Sequence, residues 1–397
     1  MPHCPAWKTQ QKLAKGLLNS RMAQMYGPLQ ELESAQLLQE FASASVGGGT
    51  VNFTRIFRRY TIGVTFLLSY GERISDPSDP RPEAIETMID QVAENLQKPA
   101  NLLVELFPSL QYLPRFLLPW KRQGDALHDN LNVMFLGMFR HGVRAKPWNW
   151  SKHLITLDEA QSLSEKELAF LLGGLMETST TTIKTLEWFV MACLLNESAV
   201  QKARKELDAV IGISRLPQFV DAHKLPYLNS FIQEVLRWRG IFPLGVPHSN
   251  LEADEYGGYS IPKGATILPN HWAMDLDDRV FPDAQLFNPD RWVQSPDLPM
   301  SHFGFGQRVC PGQHLARKSL YIVISRMLWG FEISHLHEAS GKRIEVDPYN
   351  MVQGVMTGPV AYSASFKIRS MEHWRVIEAE SSIPHDLHRE LLDAIKI

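Results

Sequence analysis

The ten residues Phe303-Gly304-Phe305-Gly306-Gln307-Arg308-Val309-Cys310-Pro311-Gly312 hold one thiol between two glycines, with a guanidinium two positions before it. Directly after Pro311-Gly312 a helical period begins, with Leu320, Val323, Ile324, Met327 and Leu328 on one face. An isolated cysteine is by default a small buried hydrophobe. This setting points elsewhere. Backbone N–H groups at a helix start and a nearby guanidinium lower a thiol's pKa, and glycines let backbone approach a large flat ligand. Phosphate cradling is a poor rival, because the loop lacks both the GxxxxGK[ST] spacing and a suitably placed lysine.

Two further groups of polar residues carry chemistry. Glu234 and Arg237 stand three apart on a helical stretch and so share a face; exposed, such a pair is worth a few tenths to ~1 kcal/mol. Phe231, Ile232, Val235, Leu236 and Trp238 surround the pair, which argues for burial. The second group is Thr178-Ser179-Thr180-Thr181-Thr182, a run of hydroxyls inside a helical pattern. Its side chains can bond back to the preceding turn and bend the axis.

The elements that must position these residues are mostly helices. Gln10–Gln39, Phe53–Tyr70 and Glu83–Leu96 are written in helical period, the last with Pro82 at its start. Ser164-Glu165-Lys166-Glu167 has capping-box spacing and opens a long helix through the hydroxyl run, with Cys193 on its apolar face. Ser198–Ile211, stopped at Gly212, and Pro226–Arg239 are two more. Tyr259–Gly264 and Ala265–Leu268 read as a turn feeding a strand, and Met356–Phe366 as hairpin-like. Leu102–Trp120 is apolar and aromatic but holds Pro108, Pro114 and Pro119, so it is not one regular helix. It fits a buried connector or an exposed patch that dips into a bilayer surface, and the residues favour neither. The fold class is mainly α with minor β, in a single domain over residues 1–397.

Composition narrows the function. The chain has 397 residues, 44% hydrophobic and 21% charged, with 40 basic against 43 acidic residues and a formal charge of −3. That balance argues against nucleic-acid binding and against disorder. Cys4, Cys193 and Cys310 make no zinc-type spacing and no disulfide framework, as in a reducing compartment. No stretch has the ~18 apolar residues of a membrane-spanning helix, and the start reads as neither a secretory signal nor an anchor.

The loop around Cys310 fits the FxxGxRxCxG heme-binding signature of the cytochrome P450 family, with Phe303, Gly306, Arg308, Cys310 and Gly312 matching. Glu234-Val235-Leu236-Arg237 resembles the family's ExxR, and Phe287-Asn288-Pro289-Asp290-Arg291-Trp292 its FxPxRx segment, whose arginine completes a buried triad. Phe242–His248 resembles the stretch in which Val246 borders substrate and His248 reaches a heme propionate. Trp7-Lys8-Thr9-Gln10-Gln11 is similar to WxxxR: Trp7 matches, while Gln11 stands in the arginine position, with Lys12 beside it to compensate. The hydroxyl run resembles [AG]Gx[DE]T[TS], keeping Thr182, with Thr181 in place of the acid and Ser179 in place of the glycine.

The resemblance implies a cytochrome P450 fold lacking its amino-terminal anchor and first strands, hence an amino-terminally truncated chain with an open sheet edge. It implies heme b (iron protoporphyrin IX) with Cys310 as metal ligand, and Arg308, His248 and Trp7 at the propionates. It also implies Thr182 and Thr181 in proton handling, and Met176, Ser179, Thr180, Val246 and Val355 along the pocket. The implied reaction inserts one oxygen atom from O2 into a hydrophobic small molecule. Electrons come from NADPH-cytochrome P450 reductase, at the cytoplasmic side of the endoplasmic reticulum, with peripheral membrane contact through Leu102–Trp120. The style of Asn52–Tyr60 and His302–Gln307 is similar to fungal members that tailor secondary metabolites. The missing acid leaves open a peroxide-using or rearranging enzyme, and the changed amino terminus a remnant with impaired heme binding.

Overall fold

The computed structural model describes residues 4–46, 50–97, 107–114, 118–382, 384 and 386–395. Of Leu102–Trp120, residues 102–106 and 115–117 therefore lie outside the described residues. The rest of that segment forms a 3-10 turn at Pro108–Tyr112 with Phe107, Tyr112 and Leu113 exposed, and Leu118 buried.

Helices carry the fold, and their ends follow local chemistry. The Gln10–Gln39 period resolves into three: Pro5–Leu18, Ser20–Met25 and Gly27–Ser45. Asn19 breaks the first and caps the second, accepting from Met22 N at 2.9 Å; Pro28 opens the third, where its missing N–H costs nothing. Phe53–Tyr70 starts on the Asn52 side chain, which accepts from Arg55 N, and stops at Gly71. Arg81–Gln97 follows. At Ser164 the capping box is present in full: its hydroxyl accepts from Glu167 N, and Glu167 accepts from Ser164 N at 2.8 Å.

The expected single long helix is instead two, Glu165–Ser179 and Thr181–Leu195, meeting at Thr180. The break falls inside the hydroxyl run. Thr178, Ser179, Thr180 and Thr181 each donate to the carbonyl three residues back, at 3.0, 2.6, 2.8 and 2.9 Å. Those bonds compete with the backbone ladder and tighten the turn. Cys193 is buried in the core as expected, and burial pushes its thiol up.

Strands are few and short. β1 (His248–Ser249) pairs with β4 (Thr266–Ile267), and β2 (Asp254–Tyr256) with β3 (Tyr259–Ile261), all antiparallel. The Met356–Phe366 hairpin is a correction. Met351 bridges to Pro359, while β6 (Ser365–Ile368) pairs with β5 (Phe331–Ser334), the strand that leaves the Gln313–Gly330 helix. One buried apolar cluster runs from Leu13 to Ile395, joining first and last helices; a small second one gathers Phe281, Ala284 and Trp292. Among the described residues no helix is long and apolar enough to cross a membrane.

Candidate functional site

The Cys310 loop is held from within by backbone bonds. Cys310 N donates to Phe303 O at 2.8 Å, Gly304 N to Ser301 O at 2.7 Å and Val309 N to Gly306 O at 3.2 Å. Gly304 and Gly306 make these turns at φ of 72° and 60°, a region costly for any residue with a Cβ. The Arg317 guanidinium stacks on Phe303 from the helix that follows.

Behind the loop lies the Glu234 network, buried as the sequence suggested. Glu234 accepts from Arg237 Nε and Nη2 at 2.8 and 2.7 Å, from Arg291 Nε at 3.1 Å, from Trp292 Nε1 at 2.8 Å and from Asn288 N at 2.8 Å. Arg237 spends its other donors on the carbonyls of Asp275, Ala284 and Leu286. Three ionised side chains at 6% exposure or less are tolerable only with this degree of satisfaction. Asp275 adjoins them. Burial lifts its carboxyl to about 6, partly offset by the Ser301 hydroxyl donating at 2.8 Å.

Between the loop and the hydroxyl run opens a largely apolar cavity of ≈ 560 Å³. Cys310, Arg308, Phe303 and Gly312 line one side; Ser179, Thr181 and Thr182 line the other; Val246 and His248 complete it. The Thr182 hydroxyl, unlike its four neighbours, makes no bond back to its helix. Gly306 stands in the loop beyond the lining, and Met176, Thr180 and Val355 do not line the cavity: the first two are buried and the third is exposed elsewhere. Side-chain direction at a helix break cannot be read from spacing, which is why Met176 and Thr180 fall off the lining.

Several groups differ from expectation. Burial raises the Cys310 thiol, outweighing the lowering by the N–H groups of Gly312 and Gln313, so the loop does not activate a free thiolate. Arg308 is turned onto the Trp7 ring, 3.6 Å from its centroid. Gln11 donates to Gln307 O at 2.7 Å, so it braces the loop. Lys12 pairs with exposed Glu159 at 2.6 Å and supplies no charge to the cavity. His248 lies exposed in β1 opposite Ile267, both at the cavity wall. Sequence reasoning missed His271 and His302, cavity-lining imidazoles whose Nε2 atoms are buried with no hydrogen-bond partner among the described residues. His302 in a loop and His271 at the start of the five-residue helix His271–Asp275 give no periodic signal to find them by.

Residues 2–366 match the family described as Cytochrome P450. The chain is 44% identical over 376 residues to the cytochrome P450 monooxygenase peniB of Penicillium patulum, covering 95% of this chain and 70% of that one. It is 39% identical over 383 residues to FrzL of a Cladobotryum species, covering 96% and 73%. Among solved structures, a zebrafish cytochrome P450 with progesterone superposes with a TM-score of 0.76 at 22% identity, over 92% of this chain and 83% of that one. That likeness speaks to the fold.

The chain belongs to the cytochrome P450 family, with the mainly α, minor β fold of that family. Its activity is that of a heme-thiolate monooxygenase of the kind found in fungal secondary-metabolite biosynthesis, inserting one oxygen atom from O2 into a hydrophobic small molecule. Family membership implies heme and a redox partner. The residues present fit that cofactor: one thiol, two backbone N–H groups directed at its sulfur, apolar walls for a macrocycle, and cationic or aromatic groups at one edge.

Proposed function

We propose that this chain is one heme b domain over residues 1–397 and that Cys310 is its iron ligand. The observation that carries the assignment is the half-buried Cys310 sulfur at the wall of the ≈ 560 Å³ cavity, on a loop fixed by its own hydrogen bonds. Ligation removes the thiol proton that burial otherwise holds in place. Phe303 packs beside the ligand, Gly306 shapes its turn at a φ of 60°, and Gly312 directs its N–H at the sulfur. Arg308, Trp7 and His248 hold the cofactor's carboxylates. Heme bound there supplies reductive activation of O2.

The chain's remaining work is on the opposite wall. Thr182 presents a hydroxyl free of its helix and hands on the proton the reaction consumes; Thr181 occupies the acid's place and fixes the turn through Thr178 O. Apolar side chains with Val246 exclude water from a hydrophobic substrate. NADPH-cytochrome P450 reductase delivers electrons, at the cytoplasmic side of the endoplasmic reticulum, and exposed Phe107, Tyr112 and Leu113 support membrane contact there.

The test is the carbon monoxide difference spectrum of the reduced, heme-loaded protein. A thiolate-type band in the wild type, lost in Cys310→Ala, is expected; a band that survives the substitution overturns the ligand assignment. No Asp or Glu lines the cavity among the described residues, which supports a second reading, peroxide-driven turnover at the same site. Comparing rates with reductase and with added peroxide separates the two.

A further inference from the structure

Beside the main cavity lies a second, small chamber of ≈ 40 Å³, lined by Thr181, Thr182, Thr185, Arg239 and His302 among others. The two cavities share Thr182 and His302. A space needs roughly 10–15 Å³ by this measure and two to four polar partners to hold a water molecule, so this one has room for more than one.

Of its polar lining, Thr181, Thr185 and Arg239 already have partners, while the Thr182 hydroxyl and the His302 ring have none among the described residues. The hydroxyls of Thr178, Ser179, Thr180 and Thr181 are committed to carbonyls three residues back, and Thr185 donates to Thr181 O at 3.3 Å. Thr182 has no such bond. The His302 ring makes no hydrogen bond to the described residues, and its Nε2 is sealed from solvent. An unpaired ring nitrogen in the interior is costly unless water satisfies it. Burial, with Arg317 and His271 nearby, keeps this imidazole neutral, so it can donate at one nitrogen and accept at the other.

We infer that the small chamber holds water, and that His302 anchors that water within reach of the Thr182 hydroxyl. The proton for Thr182 then arrives from the chamber through hydrogen-bonded water, with no carboxylate on the distal helix. His302 is a positioning residue here: it neither touches substrate nor changes its own net charge. The inference rests on the proposed role of Thr182 as proton donor.

A crystal structure of the heme-loaded protein is the first test. Ordered water within hydrogen-bond distance of a His302 ring nitrogen and of Thr182 Oγ1 is expected; a dry chamber, or one filled by the macrocycle's edge, overturns the inference. The second test measures peroxide released per NADPH consumed with purified reductase. His302→Leu and Thr182→Ala are each expected to raise that ratio severalfold, with the double variant no worse than Thr182→Ala alone. His302→Gln, which still holds water, should return most of the way to wild type. A wild-type ratio in His302→Leu, or effects that multiply in the double variant, would sink the water path. The reduced carbon monoxide spectrum of each preparation keeps the failures apart: an intact thiolate band with unchanged peroxide release refutes the role of His302, whereas a wild type lacking the band refutes the heme-thiolate reading beneath it.

Discussion

The two walls of the large cavity are built on opposite principles. On the Cys310 side, the Glu234 carboxylate alone accepts five hydrogen bonds from four residues, and Arg237 reaches three carbonyls across the segment that leads to the loop. On the hydroxyl side, four successive side chains bond only to carbonyls three residues back. The network behind the Cys310 loop is tied by long-range bonds, whereas the hydroxyl wall is local and self-contained. A ligand atom that must meet a metal at fixed geometry needs the first kind of support; a wall that meets substrate and O2 can be changed with less cost to the fold.

The largest test of that contrast is Glu234→Ala. It strands two buried guanidiniums, and a loss on the order of 3–5 kcal/mol is expected in denaturant unfolding, together with poor heme retention. A loss below 1 kcal/mol would erase the distinction between the walls.

Asp275 gives a finer probe of the rigid side. Its folded pKa of about 6 lies above the ordinary 3.8 because burial disfavours the charge. Between those values the folded state binds more protons than the unfolded one, so this group's contribution falls as pH rises from about 4 to about 6 and stays low above. Asp275→Asn, whose carbonyl can still accept from Ser301, should be more stable than wild type by about 1–3 kcal/mol at pH 7 and equal to it below pH 4. Denaturation midpoints at the two pH values decide it; parallel profiles would mean the carboxyl titrates normally.

Smallest is the change on the other wall. Thr178→Ala, at an exposed position, removes one back-bonding hydroxyl and improves helix propensity, so stability should move by no more than about 0.5 kcal/mol. A loss above 2 kcal/mol would show that the bend is held by this residue and is not a property of the run.

This contrast also explains what the sequence disclosed. The Cys310 loop, the Glu234-Arg237 pair and the Ser164 capping box depend on fixed short spacings, and the hydroxyl run announced its own bend. Partners far apart in sequence were harder to see. β6 pairs with β5 across the turn of the molecule where a local hairpin was the simplest reading, and Lys12 answers to Glu159. The Cys310 thiol went the other way from expectation because desolvation is a property of the assembled cavity, which no decapeptide contains. His271 and His302 were silent for the same reason: an orphaned nitrogen is defined by what surrounds it.

The brace from Gln11 to Gln307 and the stacking of cavity-lining Arg308 on Trp7 join positions 296 and more residues apart. Fraying of the Pro5–Leu18 helix would undo both at once. On the proposed assignment of Arg308 and Trp7 to the cofactor's carboxylates, hydrogen exchange in that helix should run faster in the apoprotein than in the loaded one.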